Sequence, residues 1–132
     1  HAALAESDVV TLHCPLRPET RHLMDARAFA ALKPGAILVN TARGPVVEEA
    51  ALADAIRAGR VMGYGSDVLE VEPPPRDHPL FGLPNVILSP HLAASTEEGL
   101  ARMARIAARN ILDVLDGQPD PAMMVNPEIL HG

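Results

Sequence analysis

Apolar residues gather in four short runs along this chain of 132 residues: Val9-Val10-Thr11-Leu12, Ala36-Ile37-Leu38-Val39, Val61 to Val68, and Val86-Ile87-Leu88. A run such as Ala36 to Val39, apolar without alternation, predicts a strand buried on both faces of a parallel sheet. In the third run Gly63 and Gly65 predict a strand that passes close to other backbone. Between the runs the period changes. His1 to Glu6 reads as the end of a helix. Asp25 is placed to cap a short helix, Ala26 to Leu32, which Lys33-Pro34-Gly35 stops. Val47 to Ala58 predicts a third helix, with Leu52, Ala55 and Ile56 on its apolar face, Glu48 and Glu49 at its positive end and Gly59 just past its last turn. Ser95 and Glu98 have capping-box spacing before the longest helix, where Leu100, Met103, Ala104, Ala107, Ile111, Val114 and Leu115 recur on one face until Gly117. Strands that alternate with helices or long crossings predict a parallel α/β sheet.

Composition narrows the class. The chain is 48% hydrophobic with only 2% aromatic residues, so the core is aliphatic, and a mean hydropathy of +0.10 excludes general disorder. A formal charge of −6 argues against a nucleic-acid partner, whose affinity comes from neutralising phosphates. The arginines of the last helix, Arg102, Arg105 and Arg109, therefore read as a solvated face. No apolar run approaches the roughly 20 residues of a membrane helix, and no signal-peptide pattern opens the chain. With its single cysteine, the expectation is a soluble, cytoplasmic protein. Residues from Glu70 to Pro84, rich in proline and charge, predict a surface crossing or lid-like loop.

Candidate chemistry follows from topology. Parallel strands present their carboxyl ends along one edge, where open α/β sheets bind ligands. His13, Thr41 with Arg43, Asp67 and His91 stand at the four exits. An arginine there is a candidate carboxylate clamp, because its planar fork donates two parallel hydrogen bonds. A histidine exchanges protons near neutral pH, and a carboxylate such as Glu72 on its other ring nitrogen would hold the tautomer. Such a trio suits proton movement on a hydroxyl or carbonyl beside a carboxylate. His1, His22, His78 and His131 fall in loops or termini without ligand spacing, so no metal site is expected. Cys14 before Pro15 reads as a packing residue. Gly63-x-Gly65 lacks the third glycine and the strand-to-helix junction of a nucleotide loop.

Three linked motifs carry a family resemblance: Asn40-Thr41-Ala42-Arg43-Gly44, Asp67-Val68-Leu69-Glu70-Val71-Glu72-Pro73, and Leu83-Pro84-Asn85-Val86-Ile87-Leu88-Ser89-Pro90-His91. In order and spacing they resemble the NAD-dependent D-isomer-specific 2-hydroxyacid dehydrogenases, which include phosphoglycerate dehydrogenases and glyoxylate or hydroxypyruvate reductases. The resemblance implies a Rossmann-like parallel sheet with flanking helices. It implies only the second half of the nucleotide-binding domain, residues 1–117, followed by a return segment, 118–132, toward a substrate domain. The cofactor would be NAD or NADP, and the partner a small 2-hydroxy or 2-oxo acid. A homodimer is implied for the complete protein.

Roles follow residue by residue. Arg43 would bind the substrate carboxylate, His91 would be the acid/base and Glu72 its partner. Asp67 would meet the nicotinamide end of the cofactor, while His13, Cys14, Pro15, Thr41, Ala42, Ala93 and Ala94 would line it beside Arg43 and His91. Alanines at 93 and 94 stand where glycine is frequent in the family. Leu69 replaces a common phenylalanine and Ser66 a common apolar residue, neither expected to touch the chemistry. The family's Gly-x-Gly-x-x-Gly turn, which cradles the pyrophosphate, is absent from these residues. The competing expectation is a non-catalytic, corepressor-like module that senses NAD. Glu72 disfavours the formate-oxidising relatives, which resemble one another in carrying glutamine there.

Overall fold

The computed structural model describes residues 2–131, so His1 and Gly132 lie outside the described residues. The chain divides into two compact units, His1–Ala93 and Ala94–Gly132. The first holds helix α1 (Ala2–Glu6), strand β1 (Val9–Leu12), α2 (Ala26–Ala31), β2 (Ala36–Asn40), α3 (Glu49–Arg57), β3 (Val61–Ser66) and β4 (Val86–Leu88). All the strands are parallel, in the order β1-β2-β3-β4. Their carboxyl ends therefore share one edge of the sheet.

Register explains which side chains enter the core. Val10, Leu38, Tyr64 and Val86 pair across the sheet in one row, and Leu12, Asn40, Ser66 and Leu88 in the next. These rows face the cluster that Phe29, Val46, Leu52, Ala53 and Ile56 complete from the helices and turns. The opposite face is less buried. Val9, Met62 and Ile87 are exposed, and Ile37 and Val39 only half-buried. The expectation that β2 is buried on both faces is thus corrected: Ala36, Leu38 and Asn40 are buried and their alternates are not. Of the first unit's helices, α2 and α3 supply buried residues to the covered face. The glycines of β3 are corrected as well. A Cβ on Gly65 would meet nothing within 4 Å, and one on Gly63 only the Ile37 side chain at 3.7 Å.

Local signals set most boundaries. Asp25 caps α2, its carboxylate accepting from the Ala28 N–H at 2.8 Å. The third helix begins later than its period predicts. Gly44–Val46 forms a 3-10 turn, and Val47 is drawn into an extended bridge with Met24, both of them buried. Backbone hydrogen bonds from Met24 to Val46 and from Glu48 to Met24 hold that bridge, so α3 starts at Glu49. The Glu70–Pro84 crossing has no regular structure, but Leu80 and His78, 1% and 6% exposed, anchor it in the first unit.

In the second unit α4 (Glu97–Leu115) is capped by Thr96, whose hydroxyl accepts from the Gly99 N–H at 3.0 Å, and not by Ser95. Its apolar stripe has the expected spacing, yet no residue of α4 is buried. A single amphipathic helix with two 3-10 turns, Pro121–Met123 and Pro127–His131, has too little surface of its own to cover such a stripe. Among the described residues no helix is long and apolar enough to cross a membrane.

Candidate active site

Each strand exit is shaped by its own polar residue. After β2 the fully buried Asn40 accepts the Ala42 N–H at 3.0 Å and donates its amide to the Arg43 carbonyl at 3.1 Å. That local loop is an Asx-type turn. It leaves Thr41 and Arg43 exposed while Ala42 stays buried. The Arg43 guanidinium rests on the Ala42 carbonyl at 2.7 Å. His13, Cys14, Pro15, Leu16, Thr41, Ala42 and Arg43 together line a cleft of about 540 Å³ beyond β1 and β2.

Beyond β3 and β4 lies a second cavity of about 380 Å³, lined by Asp67, Leu69, Glu72, Phe81, Ser89 and His91 among others. Glu72 and His91 meet there, Oε2 to Nδ1, at 2.8 Å. The other Glu72 oxygen accepts the Leu69 N–H at 2.9 Å. The bond from His91 holds the Glu72 carboxyl below the usual carboxylate range, helped by the Leu69 amide and opposed by burial and by Asp67. Leu69 therefore touches this site through both its backbone and its cavity wall, contrary to expectation. Ser66 is buried with its hydroxyl 2.9 and 2.7 Å from the Asn40 and Val68 carbonyls, to either of which it can donate its one proton, so it shapes the β3 exit.

Asp67 is buried, and its oxygens accept the Ser89 hydroxyl at 2.6 Å and the Leu92 and Ala93 amides at 2.7 Å each. Burial by itself would raise its pKa. The bonds from Ser89, Ala93 and Leu92, with His91 nearby, outweigh it and hold the carboxyl below its ordinary value. The grip has a structural reason. His91 sits at φ 57°, in the left-handed region, with its N–H turned back to the Ser89 carbonyl at 3.0 Å. A non-glycine residue pays about 1–2 kcal/mol there, and Asp67 fastens the chain on both sides of it.

Of the residues read from the sequence, Glu72, His91 and Asp67 line one cavity, and His13, Cys14, Pro15, Thr41, Ala42 and Arg43 line the other. Ala93 joins the first group through Asp67, while Ala94 begins the second unit. Asn40 and Ser89 lay inside the three linked motifs without an assigned role, and Phe81 was not singled out. Polar residues at strand ends were a signal for the first two; nothing local marks the third. Among the described residues no cluster of three or more His, Cys, Asp or Glu side chains has metal-binding geometry.

A parallel sheet that opens its carboxyl edge onto two clefts, one carrying a Glu-His pair, has the arrangement in which open α/β sheets bind ligands. The profile of the D-isomer specific 2-hydroxyacid dehydrogenase NAD binding domain matches residues 1–93. The chain belongs to that family. It is 47% identical over 127 residues to the glyoxylate reductase of Thermofilum pendens, covering 96% of this chain and 37% of that protein. The TT0316 protein from Thermus thermophilus superposes with a TM-score of 0.83 at 46% identity, over 91% of this chain and 38% of its own. The D-isomer specific 2-hydroxyacid dehydrogenase from Xanthobacter autotrophicus, solved with NADPH and MES, gives 0.78 at 45% identity, over 88% and 47%. The chain thus spans less than half the length of each of these relatives.

Proposed function

We propose that this chain is the part of an oxidoreductase that moves a hydride between NAD or NADP and a D-2-hydroxy acid or its 2-oxo acid. The observation that carries this reading is the 2.8 Å contact of His91 Nδ1 with Glu72 beside an open cavity. An ionised Glu72 accepts from the Nδ1 N–H, so Nε2 keeps a lone pair for a substrate hydroxyl. In oxidation His91 takes that proton at Nε2, and Glu72 stabilises the resulting imidazolium; in reduction Nε2 returns it to the carbonyl oxygen. Arg43 lines the neighbouring cleft rather than the His91 cavity, and to hold the substrate carboxylate its exposed guanidinium would leave the Ala42 carbonyl and turn toward His91.

The cleft of His13, Cys14, Pro15, Thr41 and Ala42 fits the nicotinamide end of a dinucleotide. Cys14, Pro15 and Ala42 offer apolar walls for a ring, and Thr41 and His13 offer polar groups for its amide and ribose. When bound, the nicotinamide accepts or donates the hydride. The similarity to a glyoxylate reductase supports a small 2-oxo acid, and that to a protein solved with NADPH keeps both cofactors in the reading. We also place the protein in the cytoplasm and as a homodimer, in keeping with the family resemblance.

The test is a screen of the protein at its native length with NADH and NADPH against glyoxylate, hydroxypyruvate and phosphohydroxypyruvate. His91→Ala should lower kcat about 10²- to 10⁴-fold, the range of a lost general acid/base. A wild-type protein that binds NAD(H) but reduces no 2-oxo acid would instead be the corepressor-like module.

A further inference from the structure

Behind Glu72 lies a polar cluster that the proposed chemistry does not use. Glu48, at the start of α3, makes no side-chain cap. The free amide of Glu49 donates instead to Glu70 Oε2 at 3.3 Å, and the Glu70 amide donates in return to Glu49 Oε1 at 3.0 Å. Each carboxylate thus holds the other residue's backbone. His78 donates from Nε2 to Glu49 Oε2 at 2.8 Å, while its Nδ1 faces the Leu80 N–H at 3.4 Å. The Leu80 amide assigns the proton to Nε2. On the outer side His22 Nε2 meets Glu70 Oε1 at 2.6 Å, with Arg21 at 3.9 Å.

Glu49 and His78 are 5% and 6% exposed. Burying such a pair is a poor way to gain stability, since apolar residues of similar volume do as well or better. Its bonds have a direction instead. One runs to the Glu70 amide, next to Leu69, whose own amide holds Glu72. The other runs to His78, whose ring lies 5.1 Å from that of Phe81. Leu69 and Phe81 are both walls of the cavity that holds Glu72 and His91. A single buried carboxylate therefore ties down both walls.

We propose that Glu49, with Glu70 and His78, is a positioning unit that sets the Leu69–Glu72 segment and the Phe81 wall, so that Glu72 meets His91 and the Leu69 amide together. The consequence for turnover rests on the functional reading above; the consequence for Glu72 itself does not. Neither Glu49 nor Glu70 touches substrate or cofactor in this scheme.

The experiment uses the protein at its native length, labelled with 13C at glutamate side chains, as wild type, Glu49→Gln and Glu70→Gln. A glutamine at 49 keeps the length but cannot accept from both the Glu70 amide and His78 Nε2. In both variants the Glu72 carboxyl should titrate at higher pH than in wild type, toward the ordinary carboxylate range. The groups that set this titration are His91, the Leu69 amide and Asp67. In 2-oxo acid reduction kcat should fall about 10- to 100-fold, as a small misplacement of a catalytic group costs, with KM for the dinucleotide within about twofold. Variants that only melt earlier, with the Glu72 titration and kcat at wild-type values, would overturn the proposal. Should Glu49→Gln fail to fold, Glu70→Gln decides on the same readouts, since the Glu70 side chain is 22% exposed. If the wild type reduces no 2-oxo acid, the functional reading falls and the Glu72 titration alone decides: a shift in the variants upholds the positioning unit, and none removes it.

Discussion

Asp67 illustrates how one side chain serves two demands. It is buried, yet its charge is matched by three donors, and those donors belong to the turn that presents His91. Its lowered pKa makes this a statement about stability. Because the folded-state value lies below the ordinary 3.8, the contribution is complete above that pH and is lost as pH falls through the folded value. Asp67→Asn should therefore cost about 1.5–3 kcal/mol at neutral pH, the scale of hydrogen bonds to a charged group. It should also flatten the acid side of the stability profile, both read from urea unfolding across pH. From the sequence Asp67 was legible as a polar residue at a strand exit. Its grip on residues 22 to 26 positions away was not, because which donors reach a carboxylate depends on how β3 and β4 pair.

At the scale of elements, the first-unit glycine with least room for a Cβ among the described residues is Gly44, where the chain leaves β2 for α3. A Cβ there would stand 1.9 Å from the Leu69 carbonyl oxygen and 2.5 Å from the Glu70 nitrogen, both backbone atoms that cannot swing aside. Gly44→Ala should destabilise the protein by about 3 kcal/mol or more, the upper range of overpacking. The Glu72 carboxyl should also titrate nearer its ordinary range, which a carboxylate-resolved NMR titration would record. A wild-type melting temperature for this variant would show that the two segments do not touch as described. The glycines of β3 invited the close-contact reading that Gly44 deserved. A glycine marks where a Cβ is dispensable, and only the pairing of distant segments reveals where it is forbidden. Helix starts were legible to within a residue or two where a cap is local, as at Asp25. The start of α3 came two residues later than expected because a bridge to Met24 competes for the same backbone.

At the scale of the molecule, both clefts exist because the sheet is parallel throughout, which brings the exits of β1 to β4 to one edge. The 132 residues contain no Gly-x-Gly-x-x-Gly turn, and phosphate binding in such folds relies on that turn and its helix N-terminus. The isolated chain is accordingly expected to bind NAD(H) weakly and to show no turnover. Calorimetric titration and a glyoxylate assay check this, and turnover by the isolated chain would contradict it.

The order of apolar runs along the chain already determined a parallel α/β sheet, and three linked motifs carried the resemblance to the family. Periodicity and strand-end chemistry are properties of neighbours along the chain, and a linear reading captures them. Only the tertiary structure decided that Glu49, Glu70 and His78 lock together, that β2 buries one set of alternate residues more than the other, and that Arg43 lines a different cleft from His91. These depend on contacts between segments far apart in sequence, whose geometry is set by packing and register rather than by any local preference.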